Sequence, residues 1–234
     1  YGTEINSCQR QLMRMRGFYS FIIVTNGIIS RPCYEPGEWQ HRIMCGVRHF
    51  FVTAYAFGGH DVGIGRIPAA NLEQAKNYVN KVIAYNDDQS LGPWRNQLSF
   101  IADDEDQNLH LNDAEIITKT ASETNELFNP VKIYLDAYRQ ESSPGGSAYP
   151  QVNDAINNQV YNGTLIWNYN GHGGPFRLAE ETVLDQQSVN TWKNANRLPL
   201  FITATCDFAP FDNPTISSLG ENILLRPETG GIAL

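Results

Sequence analysis

From residue 71 onward the hydrophobic positions fall into two alternating periods. The stretch 71–86 sets Leu72, Ala75, Tyr78, Val79, Val82 and Ile83 at the three- and four-residue spacing of an amphipathic helix. The run 97–102 (QLSFIA) is apolar without that spacing and predicts a strand, which runs straight into the acidic turn Asp103-Asp104-Glu105-Asp106. The same reading predicts a helix over 113–127, a strand over 131–135, and a helix over 152–160 that Asn162-Gly163 terminates. A strand over 164–169 then ends at Gly171-His172, a helical region covers 180–195, and a strand over 198–203 ends at Cys206. A short strand is also expected over 61–68, punctuated by Gly and Pro. Strands alternating with helices imply an α/β domain whose parallel sheet is covered by helices. Unalternated apolar runs such as Leu200-Phe201-Ile202 suit strands buried on both faces.

Residues 1 to about 58 break this order. They hold no Asp or Lys, yet carry Cys8, Cys33, Cys45 and all three Met, with six Arg against three Glu. This segment is expected to be either an irregular lead-in subdomain or a stretch foreign to the evolved domain that follows, which starts near residue 59. Cys8, Cys33, Cys45, His41 and His49 show no Cys-x-x-Cys or His-x-x-x-His spacing, so no metal site or cofactor is expected. The chain opens without Met and closes on Gly230-Gly231-Ile232-Ala233-Leu234, which reads as the start of another buried strand, and a truncated domain is the expectation. The net charge of −8 argues against a nucleic-acid partner, because phosphate neutralisation needs a basic surface.

The chemistry sits at strand ends. In open parallel sheets, sites form beyond the carboxyl ends of the strands. Here those ends carry an acidic turn, His172 within Gly171-His172-Gly173-Gly174, and Cys206 within Thr203-Ala204-Thr205-Cys206. A lone cysteine in such a place is usually a small buried hydrophobe. Its conjunction with a histidine one crossover away is more specific, since a thiol becomes a nucleophile when a nearby imidazole takes its proton. The glycines beside His172 let a substrate carbonyl approach main-chain N–H groups, and those of Gly173 and Cys206 are the candidate oxyanion-hole donors. Glu105 is the carboxylate expected to hold the imidazolium, as the third member of a triad does.

Several runs carry a family resemblance. The segment Asp61-Val62-Gly63-Ile64-Gly65-Arg66-Ile67-Pro68, the helix after it, and Gly92-Pro93-Trp94-Arg95-Asn96 resemble the gingipain-type cysteine peptidases, family C25. So do the runs beginning at Ile101 (IADDED), Ile133 (IYLDAYRQE), Asn168 (NYNGHGG) and Thr203 (TATCDF), and the likeness covers about residues 60–234. It is nearest to the branch of surface sortases that serve type IX secretion. It implies a caspase-like three-layer α/β subdomain with His172 as base, Cys206 as nucleophile and Glu105 as supporting carboxylate. The expected substrates are exported proteins whose C-terminal secretion signal is cleaved, at the cell surface or outer membrane of a Gram-negative bacterium. Outer-membrane secretion components and an amine-bearing surface glycolipid are the further partners it implies.

Two other readings compete. Asp103, Asp104, Asp136 and Thr203-Ala204 mimic the acidic pocket of a phospho-receiver, but no Lys follows Lys193 to complete it. The other is a non-catalytic structural or binding fragment of the same fold.

Overall fold

The computed structural model describes residues 67–234 apart from Gly145 and Pro214, together with the backbone of four two-residue strands upstream. Of those strands, Ser20–Phe21 runs parallel to Gly63–Ile64, and Cys45–Gly46 antiparallel to His49–Phe50. The rest of the lead-in segment, most of the strand expected over 61–68, and the side chains of Cys8, Cys33, Cys45, His41 and His49 lie outside the described residues, as does the boundary expected near residue 58. The chain divides into two compact units, Tyr1–Ala75 and Lys76–Leu234, and the second contains every expected site residue. Among the described residues, no helix is long and apolar enough to cross a membrane.

Four strands form a wholly parallel sheet: β1 (Gln97–Ala102), β2 (Asn129–Tyr134), β3 (Ile166–Asn170) and β4 (Leu200–Ala204), in the order β4-β3-β1-β2. The alternation of side chains along each strand sorts them onto two faces. On one face Ile101, Ile133, Trp167, Tyr169 and Phe201 pack against helices α3 (Pro150–Asn162), α4 (Gln186–Thr191) and α5 (Leu219–Leu225) through Val152, Ile156, Val160, Val189, Leu219 and Ile223. On the other, Leu98, Phe100, Ala102 and Tyr134 meet Ala114 of α2 (Leu109–Thr124). The result is the helix-covered parallel sheet expected from the alternation of periods, and the three-layer α/β arrangement that the family resemblance implies. Full burial of each large side chain contributes about 1.5–3 kcal/mol, so both faces are held strongly.

Local chemistry sets the boundaries. Pro150 occupies the first turn of α3, where its missing N–H costs nothing, and Gly163 closes that helix at φ 95°. A Cβ at Gly163 would lie 2.7 Å from Cβ of Trp94, so only glycine fits this close approach. The segment expected to be helical over 180–195 is mostly otherwise. Positive φ at Ala179 (59°) and Thr182 (60°) turns the chain into a hairpin pairing Arg177–Leu178 with Leu184–Asp185. Only α4 remains helical there, started by the Asp185 side chain accepting from Ser188 N–H. Helix α2 likewise begins at Leu109, earlier than the expected 113, and stops at Thr124. The C-terminal segment pairs beside β4 through a parallel bridge between Leu200 and Ala233, in line with its strand-like reading.

The α-helix that precedes β1, α1 (Leu72–Tyr85), carries an ionisable side chain on its apolar face. Lys81 is 2% exposed, its Nζ donating to the carbonyls of Leu224 (2.6 Å) and Thr229 (3.3 Å). Burial pushes its amine down from 10.5 to about 7, and the nearby Arg226 charge adds to the effect. Between those two values the unfolded chain binds a proton that the native protein lacks, so stability rises with pH through that window and is lower below it. From pH 7 to 9 the gain from this one group is about 2 kcal/mol. Urea unfolding at the two pH values should show that gain in the parent protein and its loss in Lys81→Met.

Candidate active site

The β3–β4 register pairs Ile166 with Leu200 and runs to Asn170 with Ala204. Gly171 N–H continues the ladder by donating to Ala204 C=O at 3.2 Å. His172 and Cys206 each stand two residues past these strand ends, at the same edge of the sheet. Neighbouring strands lie about 4.8 Å apart, which is within the reach of two side chains. Cys206 is exposed, and it is the free cysteine among the described residues. The turn at 205–206 also lies close to the glycine after the histidine, since a Cβ on Gly173 would sit 2.6 Å from Thr205 Oγ1. Gly171 is just as confined, because a Cβ there would collide with Asp103 Cβ and the Tyr169 hydroxyl.

The His172 loop is fixed from beneath. Gly173 bridges Leu178 with the hydrogen bonds placed on the flanking residues: Ala179 N–H donates to His172 C=O at 2.9 Å, and Gly174 N–H to Arg177 C=O at 3.0 Å. This leaves the Gly173 N–H outside the ladder, as an oxyanion donor requires. Asp103, at the end of β1, accepts from His172 N–H (2.9 Å) and from its own neighbour Asp104 N–H (3.1 Å). The Tyr169 hydroxyl lies between His172 C=O (2.7 Å) and Asp103 Oδ2 (3.2 Å). Burial drives the Asp103 carboxyl upward despite these donors, and the neighbouring Asp104 charge adds to the rise. Burial, then the Asp103 charge, pushes the Tyr169 phenol strongly upward, so it stays a donor. Tyr169→Phe removes one of the two donors on His172 C=O, which keeps Ala179 N–H, and one donor on the buried Asp103, and should cost about 1 kcal/mol in chemical denaturation.

The imidazole meets a carboxylate, and that carboxylate is Asp106. His172 Nε2 lies 2.9 Å from Asp106 Oδ2, with both side chains 53% exposed. Glu105, expected in this role, instead occupies the N-cap position of the short turn Asp106–Asn108 and makes no side-chain cap bond. The difference comes from the backbone. Asp106, Gln107 and Asn108 all take left-handed conformations (φ 59°, 56° and 68°), and this reversal brings the second carboxylate, rather than the first, to the ring. With Nε2 turned to Asp106, Nδ1 is the ring nitrogen that this bond does not engage.

A second imidazole was not anticipated. His110, in the first turn of α2, sets Nε2 3.3 Å from the same Asp106 oxygen, and its ring lies edge-on to His172 at 5.2 Å between centroids. The i, i+4 spacing of Asp106 and His110 was the available signal.

Comparison with known proteins follows from this geometry. Residues 49–234 match the model of peptidase family C25. Among solved structures, the chain is similar to the Arg-specific cysteine proteinase gingipain R (RgpB) at 19% identity and a TM-score of 0.58, covering 76% of this chain and 40% of that one. It is similar to the complex of Porphyromonas gingivalis RgpB pro- and mature domains at 20% identity and a TM-score of 0.58, over 74% of this chain and 40% of that one. The chain thus spans well under half the length of these relatives, and the likeness establishes the fold. No curated protein matches the sequence.

Proposed function

Because the chain belongs to peptidase family C25, we propose that it is a cysteine peptidase domain acting through a thioester at Cys206, with His172 as the base and Asp106 orienting it. The observation that carries this reading is the bond of His172 Nε2 to Asp106, at the sheet edge where β3 and β4 end two residues before His172 and Cys206. The Cys206 thiol gives its proton to His172 Nδ1, and the sulfur attacks the substrate carbonyl carbon. Main-chain N–H groups of Gly173 and Cys206 receive the negative charge that develops on the carbonyl oxygen. As the C–N bond breaks, the proton passes from the imidazole to the departing amine, leaving a thioester. Water or a second amine then attacks the thioester, and the sulfur leaves to regain its proton.

The finer reading is a sortase that removes the C-terminal secretion signal of exported cargo at the surface of a Gram-negative cell. The motif runs around Ile101, Asn168 and Thr203 support it, and so does the exposure of Cys206 and His172 toward solvent, where a protein substrate and an acceptor amine can enter. Outer-membrane secretion components and an amine-bearing surface glycolipid complete the proposed setting. The test is to incubate the full-length protein with a signal-bearing cargo and read the product by mass. Loss of the signal, with either a free carboxylate or an amine-linked acyl group at the new end, is the expected result. Cargo left at its original mass by a protein whose Cys206 still takes a thiol-directed label overturns the secretion-signal reading and spares the peptidase.

A further inference from the structure

Asp106, His110 and His172 bring a carboxylate oxygen and two imidazole nitrogens within 4.8 Å of one another. His172 Nε2 stands 2.9 Å from Asp106 Oδ2, and His110 Nε2 stands 3.3 Å from the same oxygen. The two rings are nearly perpendicular, at 88°. Only the His172 contact is a hydrogen bond. His110 Nε2 is buried and has no hydrogen-bond partner among the described residues, because its ring is turned too far from the oxygen beside it. A buried ring nitrogen without a partner, next to a carboxylate and a second imidazole, needs a reason.

The backbone assembles these groups from two separately anchored elements. Left-handed Asp106, Gln107 and Asn108 fold the Asp106 carboxylate back over the first turn of α2, where His110 is the second residue. His172 comes from the end of β3, its N–H fixed by Asp103. Two imidazoles and a carboxylate are the donor set of zinc, whereas calcium and magnesium favour oxygen alone. Zinc ligands lie about 2.0–2.2 Å from the metal, which sets them about 3.4 Å apart in a tetrahedron. Opening the His172–Asp106 contact by about 0.5 Å meets that spacing. The Asp106 and His172 side chains are each 53% exposed, so water can supply the remaining ligand.

We propose that Asp106, His110 and His172 form a zinc site, and that zinc bound there withdraws His172 from the thiol chemistry. The second half rests on the proposed role of His172 as base. A neutral imidazole carries one proton and one lone pair. While Nε2–H donates to Asp106, the lone pair on Nδ1 is available to take the Cys206 proton. Zinc takes the lone pair at Nε2, so the proton resides on Nδ1 and the base is gone. Asp106 then holds the metal instead of orienting the ring. No covalent bond to carbon or sulfur forms, and removing the zinc restores the imidazole.

The test uses the full-length protein, stripped of metal with a chelator, as the parent, Cys206→Ala and His110→Phe. Phenylalanine keeps a ring edge against His172 and removes the ligand nitrogen. In calorimetric titration, zinc chloride should bind the parent and Cys206→Ala alike, and His110→Phe at least about tenfold more weakly. Magnesium chloride should not compete. In parallel, labelling by a thiol-directed inhibitor is read at Cys206 by peptide mass. Its rate in the parent should fall at least about tenfold at saturating zinc and recover when chelator is added. His110→Phe without zinc should label at the parent's rate, and the zinc concentration that halves its labelling should rise by the same factor as Kd. Equal zinc affinity in the parent and His110→Phe overturns the site. So does loss of binding in Cys206→Ala, which would put the metal between thiol and imidazole. Labelling indifferent to bound zinc overturns the inhibition if His172→Ala slows labelling; if His172→Ala does not, it is the assignment of His172 as base that falls. The calorimetric result needs no active peptidase, so the zinc site is judged apart from the proposed function.

Discussion

Cys206→Ala is expected to abolish both covalent labelling by a thiol-directed peptide inhibitor and hydrolysis, the latter by at least about 10³-fold. Among the described residues, Cys206 supplies the thiol at this sheet edge, and a thiol can form an acyl bond as a thioester and release it. No other described side chain offers a comparable nucleophile beside His172. The chain carries three more cysteines, Cys8, Cys33 and Cys45, so the informative protein is the one in which those three are replaced and Cys206 kept. It should label stoichiometrically, while the reverse combination should not label at all. Labelling that survives Cys206→Ala, and disappears with the other three, would remove the residue from the reaction.

His172→Ala should lower kcat/KM by at least about 10²-fold while leaving Cys206 in place, as expected when a base is removed from a nucleophile that then ionises unaided. Its companion experiment separates the two acidic neighbours. Asp106→Asn keeps the size of the side chain but removes the charge facing Nε2, and should cost roughly tenfold, because Asp106 is half exposed and water can partly replace it. Glu105→Gln should be close to neutral, since Glu105 makes no side-chain bond at its cap position. If the two substitutions exchanged their effects, Glu105 would be the supporting carboxylate, and the Asp106 contact would be incidental.

Much of this site was legible in the sequence, because it depends on where strands end. QLSFIA, TLIWNY and LPLFIT read as strands from their apolar continuity, and parallel alternation then forces their ends to one edge of the sheet. What escaped was decided by backbone conformation at residues whose side chains do not announce it. Val183, Leu184, Val189 and Trp192 are spaced closely enough to pass for a helix face, yet left-handed Ala179 and Thr182 fold the first two into a hairpin. The same kind of reversal, through Asp106, Gln107 and Asn108, brings Asp106 rather than Glu105 to the His172 ring. Helix α5 was missed although its signal was present. Ser218 and Glu221 form a reciprocal capping box, but the seven residues behind it are too few for a period to stand out. Lys81 does not stand among the apolar positions of its helix, yet the carbonyls of Leu224 and Thr229 hold it buried on the apolar face.

The strand order β4-β3-β1-β2 has a temporal meaning as well as a spatial one. During synthesis β1 and β2 emerge first and can pair as neighbours, but β3 must then dock on the opposite side of β1, and β4 must join β3 after that. Such long-range parallel pairings form slowly, because a large loop has to close before any contact rewards it. His172 and Cys206 ride on the last two strands to arrive. A nascent or partly unfolded chain therefore holds its thiol and imidazole apart, and the proposed chemistry waits until β3 and β4 have docked. Under the proposed peptidase function, that order of assembly is itself a safeguard against premature cleavage.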